Sequence, residues 1–234
     1  MHGPMEPRPW GREEYAKPLT SEEIESGRHR RRAGQLWEEM GQLQLDFMVA
    51  QGLQPGSKLL DVGCGPLRAG VRFVEYLEPG NYYGIDVNES LLDAGYDVEL
   101  SEELRSKLPR ENLRQTDRFD CDFGVEFDFA IAQSLFTHIS LSDVRLCLFR
   151  VGRAMKPGGR FYTSFFEAPA DFPLDGVLHG DVSNKRNKYT ERNLFWHWPG
   201  DLEWASSFGP WKFRYIGDWN HPREQMIAEF TRTA

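Results

Sequence analysis

The stretch Leu59-Leu60-Asp61-Val62-Gly63-Cys64-Gly65-Pro66-Leu67-Arg68-Ala69-Gly70 limits what this chain can fold into. Residues 58–62 read as a buried strand that runs into a glycine-rich turn and then a helix. Gly63 and Gly65 accept backbone angles that a Cβ forbids, so a ligand can lie directly on the main chain. The helix beyond the turn presents N–H groups at its start. Asp61 stands at the carboxyl end of the strand, where ligands bind in open α/β sheets. A second apolar run, Tyr82–Asp86, ends in another acid 25 residues after Asp61. A ribose-binding carboxylate is expected about 20 residues past such a loop. These features predict a site for a nucleoside with a charged appendage.

The identity of the nucleoside follows from two departures. A dinucleotide loop has the spacing G-x-G-x-x-G, whereas the third glycine here, Gly70, comes late. Asp61 would also repel a pyrophosphate, but it suits a cation. On these residues the chain resembles the class I S-adenosylmethionine-dependent methyltransferases. It resembles in particular a group of small bacterial members with GCG-x-LR-x-G as first motif. The resemblance extends from about residue 30 to about residue 230. It implies S-adenosylmethionine as cofactor and S-adenosylhomocysteine as product. It also implies a Rossmann-like α/β fold with helices on both faces of a seven-stranded, mostly parallel sheet. The implied order is 3-2-1-4-5-7-6, with strand 7 antiparallel. The cofactor residues it carries over are Asp61, Gly63, Cys64, Gly65, Asp86, Val87 and Gln133, with Asp117 on the adenine amino group and Phe119 stacked on the base. Asp120 is the nearest rival to Asp117.

Composition narrows the partners. The 234 residues suit one large domain, or a domain with a small cap. A net charge of −8 argues against nucleic acid, which needs clustered positive charge. Cys64, Cys121 and Cys147 show neither a metal spacing nor a disulfide framework, so a reduced, cytoplasmic protein without a metal is expected. No apolar run approaches the roughly 18 residues that span a bilayer, so no membrane is expected as partner. The expected assembly is a monomer or a homodimer.

Along the chain, residues 1–19 read as an irregular arm. Thr20 or Ser21 can cap a helix with Glu22 and Glu23 in its first turn. The run Arg28–Arg32 reads either as a solvated helix face or as a cationic lip over the site. Leu36, Met40, Leu43, Phe47 and Ala50 step by three or four, which predicts an amphipathic helix. Residues 1–50 thus form an arm and cap, and residues 51–234 the core. Arg68 sits near a helix start, where a cation is unfavourable. It is expected to reach Asp61 or Asp86, or to lie at the surface. One helix is expected from Asn88 or Ser90 through Leu104, and another with Val144, Leu148, Val151 and Met155 on one face. Further strands are expected at residues 113–116, 127–132, 160–166, 211–219 and 225–230. Residues 167–198 lack periodicity and read as a substrate-facing insertion. In the family resembled, many members carry glycine where Glu224 stands.

Methyl transfer to an alcohol needs alignment and removal of a proton. Histidine is the natural base near neutral pH. His138, just after the fourth strand, is the leading candidate, and His179, His197 and Glu167 are the alternatives. Gln133-Ser134-Leu135-Phe136 replaces the N-P-P-Y motif of amide and nucleobase methylators. The expected acceptor is therefore a small molecule, a hydroxyl of a sugar-like or natural-product compound. A small-molecule N-methyltransferase and a non-catalytic cofactor-binding partner protein remain as alternatives.

Overall fold

The computed structural model describes residues 15–34, 36–170 and 194–234. One sheet runs through it in the order β3-β2-β1-β4-β5-β8-β7. Its strands are β1 (Leu59–Val62), β2 (Tyr82–Asp86), β3 (Leu113–Gln115), β4 (Phe127–Ala132), β5 (Met155–Glu167), β7 (Trp211–Asp218) and β8 (Met226–Arg232). A two-residue strand β6 (Trp196–His197) pairs parallel with the end of β5. Strand β8 runs antiparallel to both neighbours, and the pairs from β3 to β5 are parallel. This is the expected order, with β8 in the place of the antiparallel strand 7.

The central position of β1, between β2 and β4, explains its composition. All four of its residues are buried, because helices cover both faces of a parallel sheet. Leu60 and Val62 point to one core, against Val144, Leu148 and Val151 of helix α7 (Leu141–Ala154) and Leu202 of α8 (Pro199–Ser206). Leu59 points to the other, against Met48 of α3 (Trp37–Ala50), Phe73 of α4 (Gly70–Tyr76) and Leu92 of α5 (Glu89–Ala94).

Two short helices precede the sheet, α1 (Ser21–Glu25) and α2 (Arg28–Arg32). Thr20 caps α1 with a capping box: its hydroxyl accepts from Glu23 N–H, and the Glu23 carboxylate accepts from Thr20 N–H. The arginine run is neither wholly solvated nor wholly a lip. His29 is buried on Glu99, Arg30 forks onto the same carboxylate, and Arg32 lines the cavity described below.

Several expectations need correction. The helix after Asn88 is not continuous. It passes from α5 into a π-helical turn, Gly95–Glu99, and resumes as α6 (Glu102–Lys107) with Ser101 as N-cap. A Cβ on Gly95 would lie 2.8 Å from the Pro66 carbonyl carbon, so the glycine loop presses on this turn. Met155 opens β5 instead of closing α7, because it pairs with Phe127 across an irregularity in register. In α3 the buried residues are Met40, Gly41, Gln44 and Met48, and Leu36 is exposed. Leu43 and Phe47 are half-buried and pack against the same core, and the close approach of Gly41 to the glycine loop sets how deeply the helix sits.

Candidate active site

The first strand delivers Asp61 to the carboxyl edge of the sheet, and the chain then turns through Gly63 (φ +78°) and Gly65 (φ +53°). A Cβ on Gly65 would meet no protein atom within 4 Å, so the space over its main chain is open cavity. Helix α4 starts only at Gly70, packed so tightly that a Cβ there would lie 2.7 Å from the Tyr82 hydroxyl. Gly84 plays the same part for Cys64, whose Sγ would lie 2.8 Å from a Cβ at that position. The Cys64 thiol is buried and held well above its ordinary pKa by burial and by Asp61 and Asp86, so it serves packing and not nucleophilic attack.

Asp86 closes the loop from the next strand. Its Oδ2 accepts from Gly65 N–H at 2.9 Å and its Oδ1 from Asn88 N–H at 2.9 Å. Each carboxylate oxygen keeps a second lone pair, so a diol can still bind. Burial raises the Asp86 pKa against these N–H donors, which favour the charged form. Asp61 is 4% exposed, and its Oδ2 accepts from the Tyr82 hydroxyl at 2.8 Å. Burial pushes its pKa up to about 7, with the Tyr82 bond opposing, Asp86 adding to the rise and Arg68 opposing.

A single cavity gathers all ten residues singled out above: Asp61, Gly63, Cys64, Gly65, Asp86, Val87, Asp117, Phe119, Gln133 and His138. Asp120, the rival of Asp117, lies outside its wall and pairs with Arg114 at 3.4 Å. Strained backbone collects here. Leu67, Phe119 and Ser134 all have φ near +60°, a conformation that costs a residue with a Cβ of order 1–3 kcal/mol and recurs at ligand sites.

Arg68 does not reach a carboxylate. Its Nη1 donates to the Ala33 carbonyl at 2.7 Å and its Nη2 to Gln133 Oε1 at 2.6 Å. The guanidinium thereby ties the cap to the end of β4. His138 lies beside Tyr15, whose hydroxyl is 2.9 Å from His138 Nδ1. Of the alternative bases, His197 is buried in the core with Nε2 3.0 Å from the Phe136 carbonyl, and burial lowers its pKa. Glu167 accepts from the Tyr215 hydroxyl and is not in the cavity wall. His179 and most of the 167–198 insertion lie outside the described residues.

Sequence reasoning missed several contributors. Tyr15 stands in a segment with no periodicity to mark it. Gln225 is buried and bonds both Ser134 and Ser164: its Oε1 accepts from Ser164 Oγ at 2.7 Å and its Nε2 donates to Ser134 Oγ at 2.7 Å. Asn88 donates to the Tyr15 and Lys17 carbonyls at 2.8 Å, fastening the arm beside Asp86. Among the described residues no cluster of acids, histidines and cysteines could hold a metal, and no helix is long and apolar enough to cross a membrane.

Comparison with known proteins agrees with this geometry. Residues 60–161 match a methyltransferase domain family. An uncharacterized methyltransferase of Schizosaccharomyces pombe is 30% identical over 105 residues, which are 44% of this chain and 37% of that protein, so the match spans less than half of either. A sugar N-methyltransferase from Streptoalloteichus sp. superposes with a TM-score of 0.62 at 17% identity, over 94% of this chain and 95% of its own. An S-adenosylmethionine-bound amino pentose methyltransferase from Micromonospora echinaspora gives 0.61 at 18%, over 92% and 98%. The fold is therefore the Rossmann-like fold of class I methyltransferases, and the methyltransferase-domain match spans its glycine loop and its central strands from β1 into β5.

Proposed function

We propose that this protein transfers a methyl group from S-adenosylmethionine to a hydroxyl oxygen of a small, sugar-like or natural-product acceptor. The observation that carries the reading is the convergence, in one cavity, of the glycine loop, the Asp86 carboxylate and the Tyr15–His138 pair. The residues present fit the cofactor. The main chain at Gly65 is open to it, Asp86 offers lone pairs to a ribose, and Asp117 and Phe119, which the resemblance assigns to the adenine, line the same cavity. S-adenosylmethionine, when bound, supplies a methyl group already activated on a sulfonium.

The chain's own work is alignment and proton removal. If His138 donates Nδ1–H to the Tyr15 oxygen, that bond orients the ring and leaves Nε2 as the nitrogen that takes the acceptor's proton. The described arm, with Tyr15 and Arg32 in the cavity wall, is assigned to one side of the acceptor pocket.

A second reading, N-methylation of an amino sugar, is favoured by the names of two proteins that share the fold. Incubation with methyl-labelled donor and matched hydroxy- and amino-sugar acceptors separates the two by the site of the label. Calorimetry should show binding of S-adenosylhomocysteine. Binding of NAD and none of the methionine nucleoside would sink both readings. His138→Ala should lower turnover about 10²–10⁴-fold with cofactor affinity nearly unchanged. Equal losses in both would make His138 a structural support.

A further inference from the structure

The outer face of α7 and α8 exposes aromatic rings and leaves its charges unpaired. The two helices lie side by side and bury Val144, Leu148 and Leu202 in one core. Their other sides face solvent. Among the described residues seven large apolar side chains are exposed, and three of them, all aromatic, gather here: Phe149 at 48%, Trp204 at 49% and Phe208 at 54%. Trp204 and Phe208 meet edge to face, with ring centroids 5.0 Å apart. Arg145 lies over both, 5.3 Å from the Trp204 centroid and 3.9 Å from that of Phe208. Phe149 follows one turn after Arg145 on the same side of α7, and Arg153, a turn further on, lies 5.9 Å from the centroid of its ring.

An exposed apolar residue standing alone needs no explanation, but a contiguous group does. An aromatic side chain carries about 150–250 Å² of surface, so three half-exposed rings leave on the order of 300 Å² uncovered. The methylene stems of the two arginines extend this surface. A stable dimer buries about 800 Å² on each copy, a little over half of it apolar, and the rings and stems supply the greater part of that share.

The charges indicate what covers the face. The chain has 36 acidic and 28 basic residues. Among the described residues neither Arg145 nor Arg153 nonetheless pairs with a carboxylate, and Glu203, exposed beside Trp204, pairs with no cation. Nucleic acid fits poorly, because the net charge is −8 and arginines already lie over the rings that bases would stack on. A wholly acidic protein segment would meet Glu203. The fitting partner brings aromatic rings, guanidinium groups and a carboxylate together, and the same face of a second copy carries all three. In a two-fold contact every match is made twice. Two acidic copies repel over most of their surface, and a face with two cations to one acid lets them approach.

We propose that the α7–α8 face is the interface of a two-fold homodimer. Phe149, Trp204 and Phe208 form its centre, and Glu203 of each copy faces Arg145 or Arg153 of the other. None of these residues lines the cavity, so assembly is separable from the chemistry there.

Sedimentation equilibrium on the full chain tests this. It should show a dimer with a dissociation constant tighter than about 100 μM. Phe149→Glu and Trp204→Ser should each raise that constant at least about 10-fold, as loss of a central aromatic anchor does. Glu203→Arg should raise it about 3- to 10-fold by setting like charges against each other. All three sites are exposed, so the variants compared as monomers should melt within about 0.5 kcal/mol of the parent. A parent that stays monomeric at about 100 μM overturns the proposal, and binding of a labelled oligo(dT) by that monomer would give the face to nucleic acid. A dimer that survives both aromatic substitutions has its interface elsewhere, which also overturns it. An unchanged constant for Glu203→Arg refutes the two-fold pairing. Should a variant fail to fold, hydrogen exchange on the intact protein decides. Residues 141–154 and 199–208 must gain protection as concentration rises, and protection gained only elsewhere refutes the proposal.

Discussion

Asp61 shows how a single residue couples the site to pH. Its carboxyl has an ordinary value of 3.8 and rises to about 7 in the fold, mainly through burial. The folded state therefore holds a proton between about pH 4 and pH 7 that the unfolded state has released. The stability this group contributes is complete below about pH 4 and is lost as pH rises to about 7. Asp61→Asn removes the titration and keeps an acceptor for the Tyr82 hydroxyl. Thermal melts across pH 4.5 to 8 should show the Asn variant gaining on the wild type up to about pH 7 and then running parallel. A constant offset across that range would mean that Asp61 stays charged. A cationic ligand group acts in the other direction, because it favours the ionised carboxylate. Glu224 is a quieter case. Its φ of +56° is a conformation that glycine takes without strain, which accounts for glycine at this place in the family resembled.

Among the elements, α3 owes its position to one missing methyl group. A Cβ on Gly41 would lie 2.7 Å from the Arg68 carbonyl oxygen, a backbone atom that cannot move without shifting the glycine loop. Gly41→Ala gains about 1 kcal/mol of helix propensity, but overpacking costs typically 1–3 kcal/mol. The variant is expected to melt lower, by about 2–4 °C per kcal/mol for a chain of this size. It should also bind S-adenosylhomocysteine less tightly, because Arg68 moves with the loop. Gly200→Ala in α8 is the control, since a Cβ there meets nothing within 4 Å. An unchanged melt for Gly41→Ala would show that α3 can slide. The spacing of Met40, Leu43 and Phe47 marked both the helix and its packed face, since Met40 is buried and Leu43 and Phe47 pack against the core, while Leu36 and Ala50 at the two ends are exposed. Helical periodicity reports where apolar side chains lie, and it does not show the close backbone approach at Gly41.

At the scale of the molecule, the β7–β8 hairpin reaches back to brace the cofactor loop after β4. Ser134 and Gln225 are 91 positions apart, yet Gln225 Nε2 donates to Ser134 Oγ at 2.7 Å. Ser134 N–H donates to Ser164 Oγ at 2.7 Å, and Ser164 Oγ donates to Gln225 Oε1. The buried Ser164 and Gln225 hold the half-buried Ser134 in its left-handed backbone. Gln225→Ala would take one partner from each of two hydroxyls, while Ser134 Oγ keeps Gln133 Nε2 and Ser164 Oγ keeps the Ser134 N–H, so each lost hydrogen bond is worth about 0.5–1.5 kcal/mol. Urea denaturation should record a loss of that order, and turnover should fall with it, because Gln133 and His138 flank the braced segment. A loss of stability with full activity would confine the network to folding.

The sequence alone determined the strands of the sheet and the set of residues that line one cavity at its carboxyl edge, and the reason is locality. Buried parallel strands must be apolar on both faces, so β1, β2 and β4 announce themselves as runs. A turn that admits a ligand against the backbone needs Gly63 and Gly65 in place, with Asp61 and Asp86 at adjoining strand ends. Those constraints act within a few dozen residues and leave a pattern. Tertiary structure alone decided the partners of polar side chains. Arg68 meets Ala33 and Gln133 instead of Asp61 or Asp86, and Tyr15 meets His138, because packing brought distant segments within hydrogen-bond reach. A hydrogen bond between residues 65 or 123 positions apart has no period and no spacing rule, so nothing in the order of the amino acids records it.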